Sequence, residues 1–379
     1  MHVVFPVESV SLKMQGQTYC EPRHPMRAKK VTIREIAVAA QVSVATVSLV
    51  LRNSPLVADK TRTAVTDAIN ALGYVYNRSA ASMRSSRSGV IAISVTDLTN
   101  PYFAALTSSM ERALNQLNLT VLLSDVRDDP LRQARFIEKM REHNVDGLLL
   151  CAANSTDVAQ LMTQLSSAAF PCVLVSRNLP GSGLDYAGYD HRAGMRLAVE
   201  HLIALGHRRI ALLCATPYSW VGRERIGGYR EALAAHGLAY DPALELQGTL
   251  TRDAGFALVG QVLAMPAPPT AAACANDLVA FGVMLGLRHH GREPGRDFSV
   301  TGNDDVAEAS LWTPSLTSVA SESDLIGEHA AAMLLRRIEE PGLPPQHVSL
   351  PVTLRARASS CVRHGVPGTV QALRCGSPV

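Results

Sequence analysis

Four short stretches carry side chains that could grip a polar ligand. "TDLTNPYF" (residues 96–103) offers Asn100, Tyr102 and Phe103, and "SWVGRERIGGY" (219–229) sets Arg225 near a helix start. "CANDLVAFG" (274–282) supplies Asn276 and Asp277, and "TGNDD" (301–305) supplies Asp304 and Asp305. Each stretch follows an apolar run that reads as a strand, and α/β sheets bind ligands outside the carboxyl ends of their strands. Arginine, carboxylate and amide groups can grip neighbouring hydroxyls while aromatic rings cover C–H faces, which is sugar-recognition chemistry. Asp277 and Asp305 could equally serve as structural helix caps. Catalytic signatures are missing. The chain has no G-x-x-x-x-G-K-[ST], G-x-S-x-G or H-E-x-x-H and no dinucleotide-type glycine fingerprint, so the expectation is no enzyme, cofactor or metal. His207 and the pair His289-His290 sit at expected helix ends, where structural roles suffice.

These groups need a scaffold that brings strand ends together. From residue 89 on, short apolar runs alternate with amphipathic segments, the pattern of a parallel α/β sheet. Strands are expected at 90–95, 121–124, 147–151, 172–176, 210–213, 271–274 and 298–302. Helices are expected near 101–117, 129–144, 155–169, 191–206, 222–237, 252–265, 276–291 and 322–340. Seven strands covered on both faces are too many for one small sheet and imply two lobes. With 379 residues, 47% of them hydrophobic and 18% charged, the chain is globular and long enough for two or three domains. Its seven cysteines are scattered, odd in number and never paired as C-x-x-C, which points to reduced thiols in a cytoplasmic protein. No apolar run reaches the roughly 18 residues of a membrane span, and the N-terminal stretch lacks the layout of a secretion signal.

The net charge of +3 conceals a division. Residues 27–88 hold ten Arg and Lys against three acidic residues, residues 1–26 balance, and the remainder is mildly acidic. A basic head on an acidic body suggests a polyanionic partner for the head. The head's pattern is helical. Thr32-Ile33-Arg34-Glu35 reads as a capping box with Ile33, Ile36 and Ala37 inward. A tight turn through Gln41 and Val42 leads to a second cap at Ser43, and "VSVATVSLVL" (42–51) continues as a helix with Val44, Val47, Val50 and Leu51 at helical spacing. Two short helices so joined make a helix-turn-helix, whose second helix enters the DNA major groove. Small side chains at Ala45, Thr46 and Ser48 would let that helix approach base edges closely. A third helix is expected over about 59–72.

The run "VTIREIAVAAQVSVATVSLVLRNSPLVADKTRTAVTDAINALGYVYNRSAASMR" resembles the DNA-binding head of the lactose-repressor (LacI/GalR) family of bacterial regulators, and the likeness continues to about Cys361. The resemblance implies an N-terminal three-helix helix-turn-helix head and hinge helix, then a two-lobed type I periplasmic-binding-protein-like body with parallel sheets. The implied divisions are an extension at 1–26, expected to be disordered, with Met26 resembling the family's own start; a head at 27–76; a hinge and linker at 77–88; a body at 89–361; and a tail at 362–379. Within the body the chain is expected to cross near 188, 320 and 345, giving one lobe of 89–187 with 320–345 and a second of 188–319 with 346–361. By resemblance, Val44, Ala45 and Leu49 choose base pairs, with Leu49 replacing a frequent arginine. Thr32, Ser43, Thr46, Ser48, Asn77 and Arg78 also face DNA, and Met83 wedges into the minor groove. Gln41 replaces a common turn glycine and Ala58 a common serine cap. Positions matching Arg225, Asn276 and Asp304 bond effector hydroxyls or ring nitrogens, with Arg177 and Trp220 close by. Leu250 replaces an aromatic, so no stacking is expected there.

The combined expectation is a regulator, a repressor by preference, binding a near-palindromic double-stranded operator as a homodimer under control of a small polar effector such as a sugar. A periplasmic sugar-binding protein accounts for the body but not the basic head. An enzyme needs an activated nucleophile or cofactor that the sequence does not display. The tail lacks heptads, which favours a dimer over a tetramer.

Overall fold

The computed structural model describes residues 31–51, 54–74, 87–166 and 170–361. The expectations for the 1–26 extension, for Asn77, Arg78 and Met83, and for the 362–379 tail concern residues outside that set. Two compact units divide the chain near residue 80.

In the first unit, α1 (Ile33–Ala39), α2 (Val44–Leu51) and α3 (Asp59–Leu72) enclose a small core of Ile36, Ala37, Val47, Val65 and Ala68. The α1 cap is the expected box. Glu35 N–H donates to Thr32 Oγ1 at 3.4 Å and Thr32 N–H to Glu35 Oε2 at 2.7 Å, satisfying two otherwise unpaired donors. α1 and α2 meet at 105°, within the helix-turn-helix range. The turn is made by Gln41 at φ 51°, a left-handed conformation natural to glycine and mildly unfavourable for glutamine. Ser43 Oγ accepts from Thr46 N–H at 3.0 Å and starts α2. Ala58 stands at the N-cap of α3 and gives no side-chain bond.

The second unit holds two six-stranded sheets. The first has the order β11-β5-β4-β3-β1-β2, all parallel. Its strands are β1 (Val90–Val95), β2 (Thr120–Asp125), β3 (Gly147–Leu150), β4 (Cys172–Val175), β5 (Asp185–Tyr189) and β11 (His347–Leu350). The second has the order β12-β10-β9-β8-β6-β7, with β12 antiparallel to β10. It comprises β6 (Ile210–Leu213), β7 (Glu245–Leu246), β8 (Ala271–Cys274), β9 (Ser299–Asp304), β10 (Thr317–Ala320) and β12 (Thr353–Arg355). The central strands β3, β4, β6 and β8 are buried along their whole length, as parallel strands covered by helices must be.

The helices of the first lobe are α4 (Pro101–Asn115), α5 (Pro130–Glu142), α6 (Val158–Ser166) and, after an excursion through the second lobe, α12 (Ser323–Glu339). Those of the second lobe are α7 (His191–Ala204), α8 (Trp220–Ala235), α9 (Arg252–Leu263), α10 (Asp277–His289) and the short α11 (Glu308–Leu311). Each long helix buries one face, as its apolar spacing requires. α7 and α8 pack so closely that a Cβ on Gly228 would collide with the Arg192 carbonyl.

One crossing departs from the sequence expectation. β5 runs to Tyr189, so the first crossing follows directly after it, close to the expected 188. β10 ends at Ala320, and the second crossing precedes α12. The third lies past Leu350 rather than near 345, because residues 347–350 first add β11 beside β5 before Thr353 joins the other sheet. β5, β7, β10, β11 and β12 were not expected. β11 and β12 are edge strands of four and three residues, and their polar/apolar alternation is too brief to mark a strand.

Candidate functional site

Backbone geometry turns the strand ends inward. Ser176 follows β4 at φ 63°, Cys214 follows β6 at φ 64°, and Asp304 ends β9 at φ 112°. Non-glycine residues in this half of the map store roughly 1–3 kcal/mol of strain each, and such strain gathers at functional sites. The turns deliver side chains to a cavity where the lobes meet. Asn100, Tyr102, Phe103, Arg177, Arg225, Asn276 and Asp304 all line it, with Ser176, Tyr189, His191 and Leu250. Trp220 does not line this cavity but packs edge-on against His191, with ring centroids 5.4 Å apart. It lines an adjoining outer cavity of about 310 Å³, edge-on to Tyr186 with ring centroids 5.8 Å apart.

The inner groups form one polar network. Arg225, on the second turn of α8, is 5% exposed, and its Nη2 lies 3.5 Å from Asp304 Oδ1. Between them sits Tyr189 from the first lobe. Its hydroxyl accepts from Arg225 Nη2 at 3.0 Å and donates to Asp304 Oδ1 at 3.0 Å. Burial pushes the Asp304 carboxyl up to about 6, opposed by Arg225 and the Tyr189 hydroxyl. His191 donates from Nε2 to the Ser176 carbonyl at 3.0 Å, which leaves its Nδ1 an acceptor without a partner. Burial and the Arg225 charge hold His191 neutral, down to about 3. Arg225 Nε is likewise buried and unpartnered. A desolvated donor and acceptor left in this way are costly unless a ligand satisfies them.

Other members make bonds within the protein that orient them. Asn100 caps α4 by accepting from Tyr102 N–H at 3.0 Å, and Asn276 caps α10 by accepting from Val279 N–H at 2.9 Å. Tyr102 donates to Ser176 Oγ at 2.9 Å. Arg177 is held by Asp128 at 2.5 Å, with its guanidinium 5.6 Å from the Phe103 ring centre. The two aspartates left open by sequence are anchored. Asp277 accepts from Ser318 Oγ at 2.5 Å and Val306 N–H at 2.9 Å, and Gly302 clears the space for its carboxylate. Asp305 pairs with Arg357 at 2.6 Å. Sequence reasoning missed Tyr189, His191, Ser176 and Asp128. Tyr189 and His191 flank a crossing within an unexpected strand and the helix after it, so no strand-end rule pointed to them.

In the head, Val44 is 40% exposed, whereas sequence spacing counted it among the inward positions; Val47 alone is fully buried there. Ser43, Val44 and Ala45 make an exposed strip, with Thr46, Ser48 and Leu49 half-buried beside it. The hydroxyls of Ser43 and Thr46 lie 2.9 Å apart. Thr32 Oγ1 is engaged with Glu35. Among the described residues no single helix is long and apolar enough to cross a membrane.

Comparison with known proteins places this arrangement. Residues 32–77 match the family described as bacterial regulatory proteins, lacI family, and residues 199–360 match a periplasmic binding protein-like domain. The HTH-type transcriptional regulator CelR of Thermobifida fusca is 32% identical over 340 residues, covering 88% of this chain and 99% of its own. The ribose operon repressor of Escherichia coli (strain K12) is 30% identical over 338 residues, covering 87% and 99%. The lac repressor dimer bound to operator and the anti-inducer ONPF superposes with a TM-score of 0.78 at 28% identity, covering 88% of this chain and 100% of the other. With its helix-turn-helix head, two parallel α/β lobes and polar cleft, the chain belongs to the lacI family of bacterial regulatory proteins.

Proposed function

We propose that the protein is a sequence-specific DNA-binding transcriptional repressor, acting as a homodimer in the cytoplasm, whose operator affinity responds to a sugar-like effector in the cleft. The observation that carries this reading is the exposed strip of small side chains at the start of α2, set 105° from α1 in a basic unit. Val44, Ala45, Ser48 and Leu49 read base edges, with methyl groups suited to thymine. Thr32, Ser43 and Thr46 stand at helix N-termini, where phosphates are held. Asn77, Arg78 and Met83 extend the contact, with Met83 as an apolar wedge that kinks the duplex.

The effector is gripped by Arg225, Asp304 and Asn276 from one lobe and by Asn100, Tyr102, Phe103 and Arg177 from the other, with Trp220 at the mouth. The names of the relatives, among them a ribose operon repressor, favour a sugar over other polar ligands. Dimerisation is supported by the open edge of β2, where Leu122 and Leu123 are 38% and 44% exposed. Exposed apolar edges of this kind need covering.

The test pairs two surfaces. Binding of the full chain to duplex DNA should weaken steeply with salt, with a slope set by the phosphates neutralised. Ala45→Arg should change the preferred base pair while leaving that slope unchanged. Met83→Ala should weaken binding to the preferred duplex and spare random DNA. A salt-insensitive chain, or an Ala45→Arg variant with unchanged sequence preference, would refute the reading. A thermal-shift screen of sugars, with Arg225→Ala as the negative control, tests the cleft.

A further inference from the structure

The side chains best suited to hold an effector are already occupied by the protein itself. Tyr189 belongs to the first lobe, yet its hydroxyl is bonded on both sides to second-lobe groups, Arg225 and Asp304. Its ring is 1% exposed and stands edge-on to Tyr102, with centroids 6.1 Å apart, and 4.0 Å from His191. A second bond crosses between the lobes close by, from His191 Nε2 to the Ser176 carbonyl. The free volume among these groups is about 40 Å³, which admits a few waters at most.

We infer that Tyr189 is a latch, its hydroxyl standing where an effector hydroxyl would stand and fixing the angle between the lobes. The inference rests on the cleft being the effector site. A phenol that accepts from a guanidinium and donates to a carboxylate makes the two bonds that a sugar hydroxyl would make with the same pair. An effector that takes over the bonds to Arg225 Nη2 and Asp304 Oδ1 displaces Tyr189, so its affinity is reduced by the strength of the latch. Tyr189 immediately precedes the first crossing, so the bond acts at the pivot, and a small rotation there is magnified at the mouth. The mouth carries its own reporter, because Trp220 on the second lobe packs edge-on against Tyr186 of the first.

Replacing Tyr189 with Phe keeps the ring and removes the hydroxyl. The full chain is compared with and without Tyr189→Phe, in a Trp312→Phe background so that emission comes from Trp220, with no sugar added. The expected result is a red shift of emission, acrylamide quenching at least twofold stronger, and a larger radius of gyration by small-angle scattering. Unchanged emission, quenching and radius would overturn the latch. Should Tyr189→Phe fold poorly, Asp304→Asn keeps the shape, weakens the acceptor and should move all three readings in the same direction by less; no movement overturns the inference there too. DNA retention measured on the same preparations separates the two claims. Loss of retention in the parent chain would count against the regulator, whereas opening of the lobes speaks to the latch alone.

Discussion

Asp304 and His191 face the same cavity and titrate in opposite senses. The folded-state value of Asp304, about 6, lies above the ordinary carboxylate value, so the folded chain holds a proton that the unfolded chain releases. Its contribution to stability is full below about pH 4 and is lost as pH rises through 6. His191 is held down to about 3 and stays neutral when folded, so its contribution is present above about pH 6.5 and is lost as pH falls towards 3. Two melting curves against pH separate them. Relative to Asp304→Asn, the natural chain should lose stability between pH 4 and 6.5. Relative to His191→Gln, it should gain stability over the same interval. Parallel curves for all three proteins would show that neither group is desolvated as described. Arg225, Asp304 and Asn276 were legible as ligand groups because each closes or follows an apolar run. Tyr189 was not, since "DYAGY" carries a charge and a glycine and offers no apolar run to mark it as a strand.

The elements of the head show where the sequence departs from the most stable choice. α3 begins at Ala58 with no side-chain bond to its first N–H groups, and a serine there should stabilise the helix by about 1 kcal/mol. Hydrogen exchange of the α3 amides in the full chain should slow roughly fivefold in Ala58→Ser, as expected for about 1 kcal/mol when exchange follows local opening. Equal rates would mean that the N-cap does not limit opening. Most long helices were readable to within a few residues, because spacing and caps coincide at Asn100, Asp129, Ser219, Thr251 and Asn276. The strands beyond β9 were not. β10 is "TSVA", half of it small polar residues, and β11 and β12 are short edge strands whose identity comes from pairing with distant partners more than from local pattern. For the same reason the third crossing was placed too early.

For the assembled protein, an operator of two half-sites calls for two heads, and a symmetric pair presents the same surface twice. The open β2 edge is the strongest candidate for that surface. Leu123→Asp should convert the protein to a monomer by light scattering and weaken operator binding at least a hundredfold; a dimer mass in this variant would move the interface elsewhere. In the proposed scheme effector and DNA affinities are linked reciprocally, and a coupling of about 1–3 kcal/mol would change operator affinity roughly 5–150-fold. All of this depends on the α2 strip reading sequence from paired half-sites. The decisive experiment is selection from a pool of random duplexes by the full chain, followed by sequencing. A near-palindrome should be enriched, and Ala45→Arg should enrich a different base pair at symmetric positions in both halves. Recovery of unselected DNA, or of an asymmetric site indifferent to residue 45, would contradict sequence reading by α2.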